Sequence, residues 1–380
     1  MQVGKGKGKR IKIGEIEDKK IFCYKNQSSE KINTDKLKEV IEETIYKYAR
    51  LEDENTNSGF VLINKRPSVS IYKETVREIV NIDETKKLLK SSKSYFKGYK
   101  NSRGIIGATA SVAWSSKNDK TFELITYRQK EKWGSKRFVD DDSTMEMNKT
   151  CSLTFDNYDY ENKHNRIVPS SPCPVLFGIR GENETELVKA KSMIKSEKID
   201  AWIIFESNQG TDDHLQRKNI DKIKPYNSVI VKGKVSRKPL TLEGGHVIFS
   251  IKDSTGCIDC AAYEPTKKFR NIIRKLVVGD VVEVYGGIRK EPLTINIEKI
   301  KIISLKNLIE KVENPVCLKC GKHMKSKGKK QGFKCKICGS ESNKPLLKEK
   351  KRLIQTGFYE VPVCARRHLS KPLKRIKKQS

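Results

Sequence analysis

Leu37, Val40, Ile41, Ile45 and Tyr48 recur at intervals of three and four residues, which puts one apolar stripe on a helix that Thr34 would cap. Apolar runs at residues 20–24 and 60–63 flank it and read as strands. Residues 69–79 give a second helix, 104–108 open a helix of small residues, and 121–128 form a strand. Elements that alternate in this way predict a layered α/β or α+β body. The cleanest local unit follows at 174–208. A strand at 174–180 leads to Asn183 and Glu186 at capping-box spacing, a helix face of Leu187, Ala190 and Ile194, and a strand at 201–205. This β-α-β is half of a ferredoxin-like domain whose other half lies elsewhere in the chain.

After Pro225 the pattern turns almost entirely to period two. Val229, Val231 and Val235 alternate with polar residues, strands at 246–251 and 257–263 flank the turn Asp253-Ser254-Thr255-Gly256, and residues 267–276 make one helix. Strands at 281–285 and 295–303 follow the turn Gly279-Asp280. Three strands, a helix and two strands is the order of an OB barrel, a fold whose open face engages single-stranded or looped nucleic acid. Tyr226, Phe249 and Tyr263 are its candidate stacking residues, each with core packing as the competing role.

Charge sharpens this picture. Across 380 residues, 79 Lys and Arg face 47 Asp and Glu, a net of +32; residues 311–380 alone hold 21 against 4, a net of +17. A compositional bias would spread evenly, so this concentration points to a polyanionic partner. No run approaches the 18 apolar residues of a membrane span, and the first residues lack a signal-peptide core, so a cytoplasmic protein is expected.

Within the basic region, Cys317-Leu318-Lys319-Cys320-Gly321 and Cys335-Lys336-Ile337-Cys338-Gly339 are two matched knuckles 14 residues apart. Paired CxxCG turns aim four soft thiolates at one point, so Cys317, Cys320, Cys335 and Cys338 are expected to hold a structural zinc with no open position, and His323 to stay outside. Cys257 and Cys260 share the spacing without a second pair, and strand alternation puts them on opposite faces. In the segment Arg366-Arg367-His368-Leu369-Ser370-Lys371, the residues Arg366, Arg367, His368 and Lys371 are candidates to reach phosphates. The N-terminal half shows no Walker loop, no Ser/His/Asp set and no histidine cluster.

Several strings in that half occur in one order: Glu54-Asn55-Thr56-Asn57-Ser58-Gly59, Arg103-Gly104-Ile105-Ile106-Gly107-Ala108, Leu124-Ile125-Thr126-Tyr127-Arg128, Trp133-Gly134, Thr154-Phe155-Asp156-Asn157, Pro174 through Glu182, and Asn208-Gln209-Gly210-Thr211-Asp212. With Gly357-Phe358-Tyr359-Glu360 and Ala365-Arg366-Arg367-His368-Leu369, the chain resembles the archaeal isoleucine-tRNA 2-agmatinylcytidine synthetase (agmatidine synthase) family over essentially its whole length. The resemblance implies an ATP-dependent ligase that joins agmatine to C2 of the wobble cytidine in the isoleucine tRNA with a CAU anticodon, with ATP and Mg²⁺ beside the structural zinc. It implies an α+β multidomain architecture: a kinase-like α/β body, a ferredoxin-like domain, an OB-fold barrel and a zinc ribbon.

Boundaries on this reading fall at 1–170, 171–222, 223–306 and 312–345, with a basic C-terminal segment at 346–380. The family opens with an Asp-Asp-Thr-Asp cluster for Mg²⁺ and ATP. No such cluster precedes residue 10 here, so the kinase-like body is expected to be incomplete and its catalytic carboxylates lack a counterpart. The basic loop Lys5-Gly6-Lys7-Gly8 is then the candidate for the ATP phosphates, and Asp156, Asp159, Glu182 and Asp212 are candidates for the dicationic agmatine. Two readings compete with the ligase: a catalytically inactive tRNA-binding remnant, and a single-strand DNA-binding factor.

Overall fold

The computed structural model describes residues 11–16, 19–24, 33–117, 119–328, 331–343 and 346–376. The chain begins with β1 (Ile11–Ile16) and β2 (Lys19–Tyr24), followed by α1 (Thr34–Tyr48), β3 (Gly59–Leu62), α2 (Val69–Arg77), α3 (Ile82–Ser91), β4 (Tyr95–Gly98) and α4 (Gly104–Ala113). Asn33, not Thr34, caps α1: its side-chain oxygen accepts from the amides of Asp35 and Lys36, both at 3.1 Å. Gly59 and Gly104 mark where β3 and α4 touch backbone to backbone. A Cβ on Gly104 would sit 2.3 Å from the Asn57 carbonyl oxygen, so neither motif tolerates a side chain there. Most of the rest of α4 is buried, with Ile105, Ile106, Ala108, Ala110 and Ala113 all inside.

Next come β5 (Thr121–Arg128), α5 (Asp141–Thr150), β6 (Thr154–Phe155), the small hairpin β7 (Tyr158–Asp159) and β8 (His164–Asn165), β9 (Val175–Gly181), α6 (Glu184–Met193) and β10 (Ile199–Ser207). Their sheet runs β2-β1-β10-β5-β9-β6. Within it, β10-β5-β9-β6 is the ferredoxin-like order of a doubled β-α-β, and β1 extends the sheet by pairing parallel to β10. The missing half is therefore β5, α5 and β6, and the boundary expected at 170/171 falls inside one sheet. Periodicity hid this half because α5 is polar, burying only Met147 with Ser143 and Thr144, and because β6 is two residues long. The core between sheet and helices is Leu124, Met147, Leu176, Phe177, Ile179, Leu187 and Ala190.

After β11 (Gln216–Arg217), the barrel comprises β12 (Ser228–Thr241), β13 (Val247–Lys252), β14 (Cys257–Ala262), α7 (Phe269–Arg274), β15 (Val281–Arg289) and β16 (Thr294–Ser304). It closes because β12 pairs with both β13 and β15, while β16 joins β14 to β15. Phe249 is fully buried in its core, whereas Tyr226 is exposed and Tyr263 sits edge-on to His246. Cys260 is buried and Cys257 exposed, as alternation requires.

The remaining elements are β17 (Leu308–Glu313), β18 (Lys325–Ser326), β19 (Phe333–Lys334), β20 (Glu341–Ser342), β21 (Leu346–Lys350), β22 (Gly357–Glu360) and α8 (Leu373–Ile376). β18, β19 and β20 form the ribbon sheet, and β17 pairs with β21 as a two-stranded stalk between ribbon and barrel. At the base of the stalk, Arg352 makes a two-point ion pair with the buried Asp280, at 2.8 and 2.7 Å, and also donates to the carbonyls of Lys306 and Lys275. Burial pushes the Asp280 carboxyl up, but Arg352 and the amides of Val277 and Lys306 outweigh it, and the net displacement is downward. A depressed carboxyl stabilises the fold above the ordinary carboxylate range of about 3.9, and that contribution is lost as pH falls through the lower folded value. The amide resonances of Val277 and Lys306 should accordingly titrate with a midpoint below about 3.9; a midpoint above it would contradict the lock.

Candidate functional site

Two places gather chemistry. The first is the ribbon. Each CxxCG turn closes on itself: the Gly321 amide donates to the Cys317 carbonyl at 2.9 Å and the Gly339 amide to that of Cys335 at 3.0 Å. Both glycines adopt positive φ, +66° and +71°, which turns the sulfurs inward. The four Sγ atoms of Cys317, Cys320, Cys335 and Cys338 lie within 4.8 Å of one another, with Cys317–Cys338 at 3.4 Å and Cys320–Cys335 at 3.3 Å. Sulfurs so spaced fit around one tetrahedral zinc at the usual Zn–S length of about 2.3 Å. His323 is exposed, with Nδ1 3.3 Å from the Asn314 carbonyl oxygen, and stands outside the cluster.

The second is the junction where the end of β10 meets α2, the barrel and the C-terminal segment. The loop Asn208–Asp212 sits at its centre, with Gly210 and Asp212 both at positive φ. Asn208 Nδ2 donates to the Tyr72 hydroxyl at 2.9 Å, and that hydroxyl donates to Asp213 at 2.8 Å. The Gly210 and Asp212 amides donate to the carbonyls of His368 and Leu369, at 2.7 and 2.9 Å. Asp212 itself accepts from Lys299, which is fully buried, at 2.8 Å and from the Lys371 amide at 2.6 Å.

The carboxylates and cations singled out in the sequence meet here, and they meet each other. Asp156 pairs with Arg366, which also reaches Glu360 at 2.6 Å. Asp159 accepts from the Cys364 amide at 3.0 Å and from Asn162. Glu182 pairs with Arg375, whose guanidinium also binds Asp119 and the Gly210 carbonyl and lies over the Phe155 ring. Lys371 Nζ reaches Asp119 at 3.0 Å, and His368 faces Arg180. Of Arg366, Arg367, His368 and Lys371, only Arg367 is exposed. The segment is an ordered, half-buried strap: β22 adds a strand to the barrel beside β16, and the residues after it lock onto the ferredoxin-like sheet. Lys5, Gly6, Lys7 and Gly8 lie outside the described residues.

Sequence reasoning missed Asp119, Tyr72 and Asp213, which stand in polar loops or on a helix with no motif. Asp213 differs from the other carboxylates. Burial and the nearby charge of Asp119 raise its carboxyl above the usual range despite Tyr72, and its side-chain hydrogen bonds come from the neutral hydroxyls of Tyr72 and Thr211.

Family models of the TiaS TCKD domain, the TiaS FLD domain, an OB-fold nucleic acid binding domain and the TiaS C-terminal zinc ribbon domain match residues 1–101, 102–214, 229–303 and 314–354. The isoleucine-tRNA 2-agmatinylcytidine synthetase TiaS of Methanocaldococcus jannaschii is 47% identical over 352 residues, covering 90% of this chain and 82% of that protein. This chain belongs to the TiaS family. Among solved TiaS structures, the complex with its isoleucine tRNA and ATP matches with a TM-score of 0.84 at 37% identity, over 98% of this chain and 90% of that one. A ZRD-deleted TiaS mutant in complex with agmatine matches with a TM-score of 0.74 at 32% identity, over 96% of this chain and 89% of that one. The TiaS model for residues 102–214 begins well before residue 171, in agreement with the sheet. The zinc of the TiaS ribbon is structural: its four protein ligands leave no position for a substrate. No helix among the described residues is long and apolar enough to cross a membrane.

Proposed function

We propose that this chain is the ATP-dependent enzyme that joins agmatine to C2 of the wobble cytidine in isoleucine tRNA with a CAU anticodon, forming agmatidine. The observation that carries this reading is the match, over 98% of the chain, to a TiaS structure holding an isoleucine tRNA and ATP. A phosphoryl group from ATP activates the C2 oxygen. The primary amine of agmatine then attacks C2 and loses a proton, and phosphate departs with the oxygen, so a C–O bond is exchanged for a C–N bond. Phosphoryl transfer needs positioning and charge neutralisation above all, and the basic sequence Lys5-Gly6-Lys7-Gly8 is suited to the nucleotide phosphates.

Among the described residues, the four cysteines are the only cluster of three or more side chains suited to a metal ion. Mg²⁺ commonly binds through substrate phosphates with only one or two carboxylates, so it arrives with ATP. Of the junction carboxylates, Asp156, Glu182 and Asp212 are already neutralised by Arg366, Arg375 and Lys299. Asp159 accepts from neutral groups, the Cys364 amide and Asn162, and Asp213 from the hydroxyls of Tyr72 and Thr211 with the Arg77 charge nearby, so Asp213 joins Asp156, Asp159, Glu182 and Asp212 as an amine-binding candidate. A tRNA substrate implies a cytoplasmic location.

The test is incorporation of labelled agmatine into a CAU-anticodon isoleucine tRNA transcript. We expect a product that requires ATP, is formed poorly from another tRNA, and resists single-stranded DNA as competitor. Tight tRNA binding without ATP turnover would identify an inactive remnant instead. Equal competition by DNA would identify a single-strand binding factor.

A further inference from the structure

The segment 128–139, from the last residue of β5 to α5, is built in an inverted manner. It turns two arginines inward and two large aromatics outward. Arg128, at its start, has a fully buried side chain. Its guanidinium meets both oxygens of Glu197, at 2.6 and 3.0 Å, and donates to the carbonyls of Ser135 and Lys136, at 2.7 and 3.2 Å. Arg137, near its end, donates to the carbonyls of Val175, Pro169, Ser171 and Cys173. Glu197 closes the frame by accepting from the Phe138 amide at 3.2 Å. A loop tied at so many backbone carbonyls is held in one shape.

The same frame leaves Trp133 42% exposed and Phe138 60% exposed. The indole nitrogen of Trp133 donates to the Arg128 carbonyl at 3.2 Å, which fixes the ring's edge and leaves the rest of the ring to face solvent. Phe138 has no polar atom to explain its exposure. Lys130, Lys132 and Lys136 lie within three residues of one or other ring in the sequence, with Glu131 as the one acidic residue of the loop, and all four are exposed. Fixed aromatic faces set among lysines suit an unpaired base with phosphates on either side, because every base has a face to stack and stacking is indifferent to sequence. An acidic protein partner would match the lysines but would not require a rigid indole presented edge-anchored.

We propose that residues 130–138 form a docking platform for an unpaired nucleotide of the RNA substrate, with Trp133 stacking on the base and Lys130, Lys132 and Lys136 meeting its flanking phosphates. The identity of the RNA rests on the function proposed above; the platform itself rests on the loop's geometry.

The experiment uses the full chain and the CAU-anticodon isoleucine tRNA, with affinity measured at two salt concentrations and agmatine incorporation in parallel. Trp133→Ala should weaken tRNA binding about 5- to 150-fold, the span of a lost base–aromatic stack, and KM for the tRNA should rise by the same factor. Trp133→Phe should recover most of the loss, which a merely structural role would not predict. Lys132→Ala should lower the salt dependence of log K by about one counterion. Because Lys132 is exposed and its charge is the last and smallest of the influences on Glu197, behind the Arg128 pair and the Phe138 amide, that variant tests the platform even should the alanine at 133 disturb folding. Wild-type affinity in Trp133→Ala, or an unchanged salt slope in Lys132→Ala, overturns the platform while leaving agmatine incorporation as evidence for the enzyme. Conversely, if the wild-type chain incorporates no agmatine yet binds a single-stranded RNA oligonucleotide in a Trp133-dependent way, the platform stands and the reaction assignment falls.

Discussion

Cys335→Ser is expected to unfold the zinc ribbon while the barrel and the ferredoxin-like sheet keep their folds. The ribbon has almost nothing else to hold it. Its buried cluster consists of Cys317, Cys335, Met324 and Phe333, so two ordinary apolar side chains carry the whole non-cysteine core. Its three strands are two residues each. A module this small cannot bury enough apolar surface to offset chain entropy. The metal supplies the difference, on the order of 10–16 kcal/mol for structural zinc. Serine at one ligand position removes a thiolate and with it most of that contribution. The variant should lose its equivalent of zinc and become open to proteolysis within 314–343, with hydrogen-exchange protection of the barrel strands retained. A protease-resistant, zinc-free ribbon would show that packing alone sustains it.

Arg375→Ala should release the C-terminal strap. The guanidinium is 2% exposed and faces two carboxylates, Glu182 and Asp119, together with the Gly210 carbonyl. Removing one partner from such a buried set leaves charge without compensation, at a cost of about 3–5 kcal/mol. Lys371 would remain to serve Asp119, but Glu182 would have no replacement. Lysine is a poor substitute as well, since one ammonium cannot span two carboxylates and a carbonyl. The readout is local, because a multidomain chain has no single unfolding transition. The amides of Gly210 and Asp212, bonded to the His368 and Leu369 carbonyls, should lose hydrogen-exchange protection while strands of the barrel core keep theirs. Unchanged protection at both amides would mean that the strap is held elsewhere.

Which features were legible in the sequence follows from the range of the interactions behind them. The zinc ligands depend on spacing within short turns, and the barrel strands on alternation within six to fourteen residues, so both could be read locally. The first half of the ferredoxin-like domain could not, because α5 carries no apolar stripe and its place is fixed by pairing of β5 with β9 and β10. Asp156, Glu182, Arg366 and Arg375 were all noticeable as charges. Their pairing spans 210 and 193 positions of sequence, and no local pattern announces a contact that remote. Asp213 was invisible for a related reason: only burial beside Tyr72 sets it apart from the carboxylate next to it.

The stalk has a kinetic consequence. Because β17 and β21 tether the ribbon to the barrel and Arg352 pins their base, an RNA that touched both modules would be held by two contacts acting at high effective concentration. Avidity of this kind resists dissociation only while both contacts persist. Either one can let go first and be replaced by a competing strand, so a substrate can be retained through a slow chemical step and its product still exchanged quickly.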